Sequence, residues 1–325
     1  TPDYTMKYGN GFDQAFGWFF SNWGPSFERE GRAGWGNFSN FPSVYDIRND
    51  GTILHPFSTA GASTGIPAAF PEFQGRRYEW KPYASVPNFF RTGTVSNLSV
   101  NANGSSDDGT LSYNASFGHL EDEGFTRGNT LNRNTLGLGG RAVLSNKFTI
   151  NGTMNYSRTD FKSPPVALGD GNQVIGSGAS VFSNVFFTPR SVDLMNIPFQ
   201  NPITGGSVYY RQNNSIQHPL WTVNNAFTRQ LTNRAFGNIS AQYDINDNLN
   251  LLYRFGYDVY NERNLNAQNK GGIGVSTQYI SGVYQTWDNN NTIWNHDVIL
   301  NGSYDLSEKL DLTFNVGGQS RLTHF

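Results

Sequence analysis

The stretch Leu111-Ser-Tyr-Asn-Ala-Ser-Phe117 alternates apolar or aromatic residues with small polar ones at every step. Side chains two apart share one face of an extended strand, whereas a helix would need a period near 3.6. Leu111, Tyr113, Ala115 and Phe117 therefore line one face, and Ser112, Asn114 and Ser116 the other. From about residue 94 the pattern keeps returning. Leu98, Val100 and Ala102 alternate with Asn97, Ser99, Asn101 and Asn103; Phe148, Ile150, Met154 and Tyr156 alternate with Thr149, Asn151, Thr153 and Asn155. Leu249, Leu251, Tyr253, Phe255, Tyr257 and Val259 make the longest run of all.

Strands with one greasy and one wet face need a dry surrounding on one side only. The composition says what that surrounding is. Aromatics make up 15% of the 325 residues, there are 36 glycines, and charged residues are 15%, against about 25% in an average soluble domain. A wall with a lipid face and a hydrated face suits this mixture. The fold class read from the pattern is all-β, a transmembrane antiparallel β-barrel, with a soluble glycan-binding β-protein as the competing architecture. No apolar run reaches the roughly 18 residues of a membrane helix, there is no cysteine, and the net charge of −2 implies no broad attraction to nucleic acid. Thr1 follows no charged-then-apolar leader, so the chain reads as a fragment or a processed form.

Residues 1–93 read as loops and strand remnants rich in Gly, Pro and aromatics, and 94–325 as barrel strands within a single domain. Tight turns at 145–147, 246–248 and 306–309 contrast with long loops at 159–217 and 261–292. Outer-membrane barrels have short periplasmic turns and long external loops. With strands placed at 221–230 and 234–244, the three tight turns share one side only if a further strand lies within 159–217, at Ser207-Val-Tyr-Tyr-Arg-Gln212. A short helix is expected between Val181 and Ile197. Arg141, Arg158 and Arg254 are assigned to the polar faces.

Sites of reaction chemistry are not evident. His55, His119, His218, His296 and His324 lack metal-ligand spacing. The acids of Asp107-Asp108 and Glu121-Asp-Glu123 fall in turns, and Gly137-Leu-Gly-Gly140 lies within a strand with no Lys-Ser/Thr after it, unlike a phosphate loop. The reading is a non-enzyme with no cofactor and no catalytic or metal site. Loop aromatics are the candidates for substrate or partner contact, since their faces stack on sugar rings or fill interfaces: Trp18, Trp23, Trp35 and Trp80, with Tyr45, in the N-terminal stretch, and Tyr284 and Trp287, with Tyr279, in 261–292.

Several short stretches, in order, resemble the SusC/RagA-type TonB-dependent transporters. They are Asn22-Trp-Gly-Pro25, Trp80-Lys-Pro82, Asn88-Phe-Phe-Arg-Thr-Gly93, Asn97-Leu-Ser-Val100, Tyr113-Asn-Ala-Ser116, and Gly124 followed by Leu131-Asn-Arg-Asn134. Farther on come His218-Pro-Leu-Trp221 with Asn224-Asn225, Arg234-Ala-Phe-Gly-Asn-Ile-Ser240 and Tyr243-Asp-Ile245. The resemblance implies a 22-stranded barrel with an N-terminal plug, the size class of outer-membrane transporters. It implies import of a glycan or peptide across the outer membrane of Bacteroidetes, a SusD-like surface lipoprotein as lid, and energy from a TonB complex acting on the plug. No plug, TonB box or final strands are recognisable in these residues. A structural barrel in a larger envelope secretion or assembly complex is the alternative the family pattern leaves open.

Overall fold

The computed structural model describes residues 50–59, 66–165, 180–186, 188, 190–208, 217–273 and 280–324. Its main body is an eight-stranded antiparallel meander in which each strand pairs with the next: β3 (Thr94–Ser105), β4 (Leu111–Glu123), β5 (Thr130–Ser145), β6 (Phe148–Ser163), β7 (Ala226–Asn246), β8 (Leu249–Gln268), β9 (Val283–Ser307) and β10 (Leu310–His324). A two-stranded pair, β1 (Thr52–Leu54) and β2 (Arg77–Glu79), stands apart from it.

Residues directly opposite in an antiparallel ladder point the same way, so the register sorts every side chain onto a face. One row runs through Leu111, Ala142, Ile150, Ala241, Tyr253, Val298 and Gly318. The parallel rows on its face carry Phe117, Leu136, Tyr156 and Val259, then Phe148, Tyr243, Leu251, Leu300 and Val316. Leu98, Val100, Tyr113, Leu138, Met154, Ile239 and Val298 are all exposed on this face. The opposite face carries Asn, Ser, Thr, Gln and paired charges: Arg254 meets Asp297 at 3.8 Å and Arg234 meets Asp258 at 2.6 Å. The only polar ring within the apolar band on β9, His296, has its Nδ1 2.8 Å from the Tyr253 hydroxyl and packs on Phe255.

Stagger gives the strand tilt. Relative to the Leu111 row, β4 begins on the row itself, β6 two residues before it at Phe148, β8 four before at Leu249, and β10 eight before at Leu310. A shift of eight residues over six strands corresponds to a tilt of about 40° from rises of ~3.3 Å and spacings of ~4.8 Å, the tilt of a closed barrel. On β8 the outward apolar run spans Leu249 to Val259, about 33 Å along the strand and, at that tilt, about 25 Å in height, the thickness of a barrel's apolar band. Edge strands β3 and β10 each have a neighbour on one side only. An open edge in lipid leaves backbone groups unsatisfied.

The turns 146–147, 247–248 and 308–309, together with 106–110, all lie at one end of the sheet. This sidedness needs no additional strand, because β6 pairs directly with β7. Two expectations are corrected together. The segments 221–230 and 234–244 are one strand from Ala226 onward, preceded by a helix, and β6 and β7 are direct neighbours in the sheet. Of 207–212 only Ser207 and Val208 are described; Ser207 forms an isolated bridge to Gln200, and Val208 is buried. Likewise 261–292 is not one long loop: β8 runs to Gln268 and β9 starts at Val283. The other break is 164–225 rather than 159–217, since β6 reaches Ser163. Arg158 also moves: its partners Asn134 and Asn233 lie on the Tyr156 side, which is the apolar face, whereas Arg141 and Arg254 are on the polar one.

At the end opposite the tight turns, the described residues of 50–93 and 180–225 fold together as a cap. Helices α1 (Pro56–Thr59), α2 (Ile66–Ala69), α3 (Ser85–Phe89), α4 (Val181–Phe186) and α5 (Pro219–Asn225) contribute to it. Its core holds Ile53, Tyr78, Trp80, Phe89, Val181, Val185, Val192, Leu194, Ile197 and Leu220. The Tyr78 hydroxyl donates to the Ser191 carbonyl at 2.6 Å and Ser85 Oγ to the Val192 carbonyl at 2.5 Å, binding stretches more than a hundred residues apart in sequence. The cap is tied to the strand ends by Arg91 N–H to the Phe125 carbonyl and Ser207 N–H to the Gly271 carbonyl. Gly271 has φ +94 and a Cβ there would stand 2.5 Å from Gly206 Cα, so only glycine fits this contact.

Two histidines lie inside the cap. His55 accepts from Phe57 N–H at Nδ1 and stacks on Phe73 at 4.3 Å; burial, then the Arg76 charge, lowers its pKa to about 4. His218 caps α5 by accepting from Leu220 N–H, and burial lowers its pKa to about 3. Both are neutral when folded, and both take up a proton near pH ~6.5 when unfolded. The unfolded state then binds more protons below that pH, so cap stability is complete above about pH 6.5 and falls as the pH drops toward 4. Limited proteolysis of the cap across that interval is expected to accelerate; a flat rate would contradict it.

Candidate functional site

Four side chains from four strands form one row on the polar face near the cap: Phe161 on β6, Gln230 on β7, Asn264 on β8 and Trp287 on β9. The next row toward the cap carries Ser163, Thr228, Asn266 and Gln285. All of these but Ser163, together with Arg229, line a recess of about 480 Å³. Trp287 and Phe161 stand three strand spacings apart, about 14 Å, with amides as the floor between them. Gln230 Nε2 donates to Asn264 Oδ1 at 3.4 Å, and Glu262 Oε1 accepts from Asn264 Nδ2 at 2.8 Å and from Asn289 Nδ2 at 2.9 Å. These bonds orient the Asn264 amide. Asn264 and Asn266 are buried, while Trp287 keeps 41% of its surface exposed.

The cap meets the end of β8 beside the recess. Gln217, fully buried, donates from Nε2 to Thr222 Oγ1 and to Gln268 Oε1, and its Oε1 accepts from Ile273 N–H. Chemically the recess offers two flat aromatic surfaces and a set of neutral donors and acceptors, an arrangement that holds a polar, hydrogen-bonding ligand. Among the described residues no three His, Cys, Asp or Glu side chains gather where they could hold a metal ion.

Of the aromatics singled out in the sequence, Trp287 lines the recess. Tyr284 has the opposite parity and projects outward with 77% of its surface exposed. Trp80 is buried in the cap core, where it serves packing. Trp18, Trp23, Trp35, Tyr45 and Tyr279 lie outside the described residues. Phe161, Gln230, Asn264, Asn266 and Gln285 went unrecognised. A signal was present: Asn264, Asn266 and Gln268 alternate with Leu265 and Ala267, resuming the period of two after Arg263.

Fold and recess together define a piece of a large barrel wall, wet within and apolar without. The chain is similar to the RagAB peptide transporter, with a TM-score of 0.58 and 18% identity over 74% of this chain and 26% of that one. It is also similar to the RagAB peptide importer in its open-open state, with a TM-score of 0.59 and 17% identity over 81% of this chain and 30% of that one. The antiparallel barrel-wall fold expected from the SusC/RagA resemblance is thus the fold found, and the chain spans less than a third of these relatives. No family model and no curated protein matches the chain.

Proposed function

We propose that this chain is part of the barrel of a SusC/RagA-type, TonB-dependent importer in the outer membrane of a Bacteroidetes cell. It takes up a glycan or a peptide, with a SusD-like surface lipoprotein seated over the capped end and a TonB complex acting through the plug. One observation carries the reading: the amide and aromatic recess faces inward beneath the capped end of a wall whose outer face bears an apolar band of bilayer height. The matched structures are a peptide transporter and importer, which supports transport over catalysis.

The test is uptake by cells carrying or lacking the full-length gene, offered labelled oligosaccharides and peptides. Loss of uptake of one class on deletion is expected. Replacing Trp287 with Ala removes one stacking surface, worth about 1 kcal/mol, and should weaken binding roughly fivefold at unchanged surface level. Identical uptake with and without the gene, for every ligand offered, would end the proposal.

A further inference from the structure

Above the apolar band the outward face changes character within two residues. On β6 the band ends at Tyr156, whose hydroxyl donates to Asn233 Oδ1 at 3.0 Å. The next outward side chains are Arg158, Asp160 and Lys162. The row at Arg158 holds His119, Asn134, Asn233 and Asn261, all polar, and Arg229 lies directly across from Lys162. Asp160 is taken by Arg229, which grips it with Nε at 2.8 Å and with Nη2. Glu123, the nearest outward acid in the Lys162 row, is engaged by Arg91 at 3.1 Å. Lys162 Nζ lies 4.4 Å from the centre of the Phe227 ring. Among the described residues neither Arg158 nor Lys162 makes an ion pair. Arg158, Lys162 and Arg229 thus stand around Asp160, with Glu121 two strands away in the Asp160 row, and both Arg158 and Lys162 are exposed.

Depth decides what meets them. Arg158 stands two residues above the band edge, about 5 Å along the membrane normal at the barrel's tilt, which is the level of lipid headgroups. The side chains of Arg158, Lys162 and Arg229 share the outward face of the wall. We propose that Arg158, Lys162 and Arg229 form a binding site for the phosphates of an outer-leaflet glycolipid headgroup, a bisphosphorylated lipid A. Arg158 and Lys162 are four residues apart, about 13 Å along the strand, so they engage two phosphates and not one. Arg supplies forked donors and Lys a point charge, the pair of modes by which phosphate is held. The site anchors the wall laterally and is independent of what the barrel carries.

The test uses the full-length protein in detergent micelles, titrated with bisphosphorylated lipid A, with dephosphorylated lipid A and with inorganic phosphate. The expected result is binding of the first alone, weakened at least tenfold in the double variant Arg158→Gln/Lys162→Gln. Arg141→Gln, on the inner face, should leave it unchanged and so separates the site from general loss of positive charge. Equal binding of dephosphorylated lipid A would overturn the proposal, as would undiminished binding by the double variant. Competition by inorganic phosphate at matching concentration would show a free-anion site instead, and would overturn it too.

Discussion

Val298→Arg is expected to prevent stable assembly of the wall, whereas Asn250→Arg is expected to be tolerated. Val298 projects from β9 onto the outer face at mid-height, between Trp294 and Tyr304, with 48% of its surface exposed. In lipid an arginine there costs about 2–4 kcal/mol, and close to the interface only about 0–1. Leu251 lies two residues from the start of β8, near the lower edge of the band, so Leu251→Arg should cost less than Val298→Arg. Asn250 faces inward, where its Oδ1 accepts from Asn301 Nδ2 at 2.8 Å, and a charge in that hydrated space keeps its water. Heat-modifiable migration of the folded barrel and its level in the membrane fraction read the order directly. Equal tolerance of arginine at Val298 and Asn250 would overturn the assignment of faces.

Trp221→Ala should open the cap while leaving the wall intact. Trp221 is fully buried in α5, and its indole N–H donates to the Gly205 carbonyl at 2.9 Å. Truncation leaves a large cavity and an unanswered carbonyl, a loss of about 3–5 kcal/mol. The cap is joined to the strands mostly at their ends, so this loss falls on the cap alone. Rapid proteolysis within 180–225 is expected, with the strands still protected. Unchanged protection of that segment would mean that the cap does not depend on its own core.

The departures from the sequence reading share one cause. The strands are longer than the bilayer is thick. Above the band both faces are wet, as at Asn261-Glu-Arg-Asn264 and Asp288-Asn-Asn-Asn291, and alternation of apolar with polar residues disappears. The backbone ladder continues regardless, because its hydrogen bonds ask nothing of the side chains. Those residues therefore read as loop and are strand. Gln230-Leu-Thr-Asn-Arg234 reads as a break for the same reason and lies within β7. Reading β7 as two strands adds a crossing, which an additional strand at 207–212 would balance. Two opposite errors left the sidedness of the turns correct. Arg158 belongs to the same zone: it keeps the parity of the lipid face but stands above the lipid.

Sequence alone determined which residues face lipid and which face water within the band, where the tight turns fall, and which fold class results. A period of two under a one-sided solvent allows no other sorting, and a slip of one residue would invert every face. The tertiary structure decided how far the strands extend, how they are staggered, and that a cap covers one end. It also assembled the candidate site. Phe161, Gln230, Asn264 and Trp287 become neighbours only through the registers of β6 to β9, and lateral register is a property of strand pairs that no single strand's pattern contains.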